Sequence, residues 1–156
     1  MTVPPFILAT FYKGYSHTLM TISALGNSKS PVRLAFNIWM SIEGILFIFA
    51  IPAIYNYYNK VSKTIVLVAV VFIVVFAVGA CIFTSFFSVN ETKDVVTTAS
   101  KIHGAGSVVG FILFLFVPLL LAILSFKGND KICGIISVIS FIRKRQIAPT
   151  FDLAGA

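Results

Sequence analysis

The chain has 156 residues, of which 58% are hydrophobic and only 11% charged, with a formal net charge of +7 and a mean hydropathy of +1.00. A soluble domain of this length carries about a quarter charged residues; it has nowhere to hide this much apolar surface, whereas a bilayer does, and a water-soluble globular fold is excluded. The basic residues sit in short loops and the tail (Lys60, Lys63, Lys127, Lys131, Arg143, Lys144 and Arg145) without a nucleic-acid motif, so the expected partner is anionic lipid and not nucleic acid.

Residues 1–33 read as a polar-leaning outer segment. Its first twelve residues, MTVPPFILATFY, are apolar but too short to span, are interrupted by Pro4 and Pro5, and do not form an ordinary signal peptide. Gly26-Asn27-Ser28 and Pro31 are turn signals, and Thr21, Ile22 and Leu25 can form one side of a short interfacial helix. Transmembrane helix 1 is expected over 34–56 and carries a single acid, Glu43. Tyr55, Tyr57 and Tyr58 followed by Lys60 and Lys63 mark a membrane–water boundary. The short connection makes the next helix an antiparallel neighbour.

Transmembrane helix 2, residues 64–88, is uncharged and rich in Val and Ile. In lipid the backbone must bond to itself, so helix wins over β-propensity. Residues 89–102 form a polar outer loop whose Asn90-Glu91-Thr92 fits a glycosylation sequon, making Asn90 a candidate acceptor. Transmembrane helix 3 covers 103–126; its Gly106-x-x-x-Gly110 lets another helix approach closely, and Pro118 should kink it. Residues 132–142 are a short hydrophobic segment, too short to cross unaided: a half-span, an interfacial helix or a stub. Residues 143–156 read as a basic, disordered tail. The expected fold is all-α, a polytopic transmembrane helical bundle of three full spans plus this fourth segment. With three crossings, Lys13, Lys29, Arg33, Lys93 and Lys101 fall on one side, and the seven basic residues named above on the other; five against seven places the second side in the cytoplasm.

Chemistry has few places to reside. Cys81 and Cys133 form no CxxC and read as small buried hydrophobes, and no P-loop, GxSxG, HExxH or GxGxxG occurs. No cofactor follows from the sequence. Glu43 lies about nine residues into its span, roughly 13 Å deep, where a charge costs ~2.5–3.5 kcal/mol on insertion scales. It is therefore protonated, paired or facing a wet cavity, and by default a site hypothesis. On that reading His17, Ser16, Ser23 and Asn37 join Glu43, Thr84, Ser85 and His103 in an outward-opening polar cluster. His17, Glu43 and His103 can hold a divalent metal or act as acid and base; Ser16 or Ser23 near His103 is the conceivable nucleophile. The bland reading has both histidines bonding backbone or lipid headgroups, and Glu43 sealing helix packing. Three functions stay open: an intramembrane hydrolase or lipid-modifying enzyme using His17, His103 and Glu43; a proton-coupled transporter at Glu43; and a structural subunit packing through Gly106 and Gly110 on other helices or a second copy.

Two stretches carry a family resemblance. SHTLMTISALG (residues 16–26), followed by Phe36-Asn37 and the Gly44-bearing span, and then VGACIF (78–83) with KIHGAGS (101–107), resemble the membrane family catalogued as domain of unknown function 998. The resemblance covers about residues 11–126. It implies a fold of about six spans and no established activity. His17, Ser23 and His103 fall on the family's motif positions. The chain departs from the pattern at both ends, where it is expected to be truncated.

Overall fold

The computed structural model describes residues 3–18, 20–87 and 97–147, the last four of these by their backbone. Helix α1 spans Val3–Thr10, α2 Arg33–Tyr58, α3 Lys63–Phe86, α4 Thr98–Lys127 and α5 Lys131–Ile147, with a 3₁₀ turn over Ile22–Gly26. There is no strand among the described residues. Helices α2, α3 and α4, of 26, 24 and 30 residues, are each long and apolar enough to cross a membrane. At ~1.5 Å per residue they run about 36–45 Å, more than the ~30 Å hydrocarbon core, which tilt accommodates. Helix α4 starts at Thr98, five residues earlier than the sequence suggested: the Thr97 side chain accepts the Ser100 N–H at 3.2 Å and caps it inside the expected loop.

One irregularity has no sequence signature. Residues Phe76–Phe83 of α3 are wound as a π-helix, a form that appears mostly as short bulges and often at functional positions. The other spans close on this segment. A Cβ on Gly44 of α2 would lie 2.6 Å from the Ala77 carbonyl oxygen and 3.0 Å from Cys81 Cβ. On α4, a Cβ on Gly106 would meet the Gly79 carbonyl oxygen at 2.9 Å, and one on Gly110 would meet Ala80 Cβ at 2.6 Å. Gly106 and Gly110 thus bring α4 onto α3 within the chain. Around this contact Ile73, Phe76, Ala80, Cys81, Phe114 and Val117 form the core. Phe76 stacks on Phe114 at 4.0 Å between ring centroids, and Phe47 of α2 meets both edge-on at 5.4 and 5.1 Å.

At one end of the bundle α1 and the 3₁₀ turn pack on the start of α2. Leu25, fully buried, sits against Val32 and Phe36, with Leu8 and Tyr12 packed around them. At the other end the α2–α3 and α4–α5 connections meet. Tyr58 and Ser125 share a buried 2.6 Å hydrogen bond. Tyr57 donates from its hydroxyl to Asp130 Oδ2 at 2.8 Å, while Asp130 Oδ1 accepts the Cys133 N–H at 3.0 Å and so caps α5. The Cys133 backbone donor and the Tyr57 hydroxyl hold the Asp130 carboxyl below the usual carboxylate range. The turn itself needs a left-handed residue, and Asn129 supplies it at φ 61°.

Helix α5 corrects two expectations. The segment expected over 132–142 is helical over 17 residues, and Arg143 to Ile147, expected in an unfolded tail, continue the helix. Arg, Lys and Gln are good helix formers, and the proline that ends such a run, Pro149, comes only two residues later. Cys133 is exposed, not buried. Helix α5 folds back along α4: Gly134 lies under the Phe126 ring, and Ser137 and Ser140 share a cleft with Pro118 and Leu121. Arg143 is therefore carried about 18 Å from Lys131 along the helix, toward the opposite end of the bundle. Were α5 to cross the bilayer as a fourth span, Arg143, Lys144 and Arg145 would change the cation count from five against seven to eight against four, with the opposite bias.

This geometry predicts that single cysteines at Lys127 and Arg143, in a chain whose native cysteines are replaced, are labelled by a membrane-impermeant maleimide from opposite faces; labelling from one face would leave α5 outside the bilayer. It also predicts that Gly110→Ala lowers the thermal stability of the detergent-solubilised chain by about 1–3 kcal/mol through overpacking. Gly104→Ala, where an added Cβ meets nothing within 4 Å, should stay near neutral.

Candidate functional site

The inward stripe of α2 is Phe36, Met40, Glu43, Phe47, Ile51, Ile54 and Tyr58, a run of i, i+3 and i+4 steps that a helix turns to one side. All but one are apolar or carry a bonded hydroxyl. The exception is Glu43, only 8% exposed, whose Oε1 has no hydrogen-bond partner. One turn back, Trp39 Nε1 is also buried and unpartnered. A buried donor and a buried carboxyl oxygen on successive turns of one helix are costly in a medium without water. Directly beside them Gly44 brings α2 against Ala77 and Cys81 of the π segment.

Beyond the π segment lies a belt of polar groups. Thr84 donates from its hydroxyl to the Ala80 carbonyl at 2.6 Å, and Ser85 to the Ile82 carbonyl at 2.6 Å. Ser41 and Ser85 are 2.8 Å apart and tie α2 to α3. Ser85 has one hydroxyl proton, already given to Ile82, so Ser41 is the donor in that pair. His103 of α4 places Nδ1 2.8 Å from the Phe87 carbonyl oxygen and 3.2 Å from that of Thr84. Carbonyls only accept, so Nδ1 carries the proton, and Nε2 is the basic nitrogen of the neutral ring.

The residues singled out in the sequence thus separate into groups. His103, Thr84, Ser85 and Ser41 lie along one belt. Asn37, whose Oδ1 is 3.0 Å from where a Cβ on Gly26 would stand, borders a groove with Ser41 and Ser85. His17 is exposed and sits among aromatics, 4.4 Å from the Phe6 ring and edge-on to Tyr15 at 4.9 Å. Ser16 pairs with Thr18 at 2.9 Å and Ser23 with Thr21 at 2.8 Å, so both hydroxyls bond locally. No group of three His, Cys, Asp or Glu side chains among the described residues is arranged to hold a metal ion. Asn90 lies outside the described residues. Sequence reasoning passed over Trp39 as a polar group and Ser41 as a link. The Asn37–Ser41 spacing of four was the available signal for the second; nothing local marks the first.

His103→Ala should leave the Thr84 and Phe87 carbonyls without this donor and lower thermal stability by about 1–3 kcal/mol. A histidine that merely faced headgroups would show no change in the same melting experiment.

The family described as Protein of unknown function (DUF998) matches residues 2–143, extending the similarity beyond the 11–126 stretch that carried the motifs. Neither the curated proteins nor the solved structures contain a match to the chain.

Proposed function

Since the chain belongs to this family, whose description assigns no activity, we propose from its own geometry that it is a proton-dependent membrane carrier in which Glu43 takes up and releases the proton. The chain is an integral, multi-pass membrane protein. Within it, the observation that carries the proposal is the buried Glu43 carboxyl with an unpartnered Oε1 on the inward face of α2. An ionisable group at that depth is expensive to keep, which favours a working role over a packing role.

Two further features support the reading. The helix facing Glu43 is wound as a π-helix over Phe76–Phe83, and π winding occurs frequently at functional sites. Phe47, one turn along from Glu43, borders a cleft of about 350 Å³ whose other walls are Ile54, Ile73, Phe114 and Leu121, with Ser137 and Ser140 of α5 across from them. The cleft gives a cargo space beside the proton site. The hydrolase reading has less support, because the His103 Nδ1 proton is committed to backbone carbonyls and Ser16 and Ser23 bond to threonines. With α5 taken as a fourth crossing, the count of eight cations against four assigns the His103 end of the bundle to the cytoplasmic face, the reverse of the side first expected.

The test uses the purified chain in liposomes that trap a pH-sensitive dye. A pH step across the membrane should drive proton flux, Glu43→Gln should reduce it to the level of protein-free liposomes, and Glu43→Asp should retain part of it. Equal flux from the wild-type and Glu43→Gln chains would overturn the assignment.

A further inference from the structure

We propose that the groove between the start of α2 and the end of α3 seats one phosphoglyceride molecule of the surrounding bilayer. The groove holds about 310 Å³. Its walls are hydrocarbon: Leu34, Ile38 and Ile42 follow one another at four-residue steps on α2, and Phe86 faces them from α3. All four are exposed. Beside this apolar stripe runs a polar one, Arg33, Asn37 and Ser41, at the same spacing and therefore on one adjoining line of the helix.

The order along that second stripe identifies the ligand. Arg33 opens α2 and is exposed at the membrane surface end. Asn37 lies about 6 Å deeper and Ser41 about 12 Å deeper, at ~1.5 Å per residue. Arg33 offers only donors. Asn37 sets its Oδ1 beside Gly26 and lines the groove, where its amide N–H₂ is the donor it can offer. The Ser41 proton goes to Ser85, whose own goes to Ile82, so no donor remains at that depth. A cationic fork, then a single donor, then hydrocarbon demands a ligand with an anionic acceptor, a neutral acceptor and an apolar chain in that sequence. A phosphoglyceride presents its phosphate, its ester carbonyl and its acyl chain in that order and at comparable spacing. A lipophilic amine would bring a second cation against Arg33.

The experiment is native mass spectrometry of the full chain released from detergent, with equal amounts of phosphatidylglycerol and of a diacylglycerol bearing the same acyl chains. One phosphatidylglycerol per chain should be retained in preference to the diacylglycerol. Arg33→Gln should reduce that preference about fivefold, the usual weight of one interfacial cation. Ile38→Trp, which fills the groove without touching its polar stripe, should abolish retention, while Lys13→Gln leaves it intact. Circular dichroism melting identifies any variant that has not folded. Equal retention of the two lipids, or retention unchanged in folded Arg33→Gln and Ile38→Trp chains, would overturn the proposal. Glu43→Gln should keep the lipid, so the result stands apart from the outcome of the flux measurement.

Discussion

The bundle depends on the close approach of α2 and α4 to one short stretch of α3. Lipid tails are as apolar as leucine side chains, so in a bilayer no hydrophobic force drives helices together, and packing at short range must do it. Here it does so through glycine. Gly44 lets α2 reach the Ala77 carbonyl, and Gly110 lets α4 reach Ala80. Both contacts fall within Phe76–Phe83, where the backbone is π-wound. The aromatic cluster of Phe47, Phe76 and Phe114 fills the space just beyond. A side chain at either glycine would collide with α3 and force the helices to shift.

That arrangement explains why a carboxyl is tolerated at this depth. Glu43 sits next to Gly44, where α2 lies close against the Ala77 carbonyl of α3. The polar belt of Ser41, Ser85, Thr84 and His103 begins on the same α3, immediately after the π segment ends. Each hydroxyl there gives its proton to a neighbour's oxygen, and the imidazole gives its proton to carbonyls. The belt is therefore satisfied internally, as a lipid environment requires. Glu43 Oε1 and Trp39 Nε1, buried and unsatisfied, stand in contrast to it, and the role proposed for Glu43 rests on that contrast.

The spans were legible because lipid immersion is a property of composition: long runs with few charges have one stable solution whatever their β-propensity. The Gly106–Gly110 spacing was legible as a close contact, but its partner was not, since a small-residue pattern says that something approaches and not whether it comes from the same chain. The π segment was invisible because α and π winding share side-chain chemistry and differ only in hydrogen-bond register. Helix α5 was cut short in the reading by its basic run, although arginine and lysine favour helix as much as leucine does. At the site, Glu43 stood out as the lone acid of its span. The bonds of His103 did not, because Thr84 and Phe87 are many residues away and their carbonyls carry no residue-specific signal.

Helix α5, at 17 residues, is about 25 Å long, whereas its neighbours run to about 36–45 Å. Packed antiparallel on α4 from the Asp130 turn, it sheathes a little over half of that helix and leaves the part toward Thr98 uncovered by it. This flank of the bundle therefore carries a step partway along α4, a ledge between a two-helix wall and a one-helix wall.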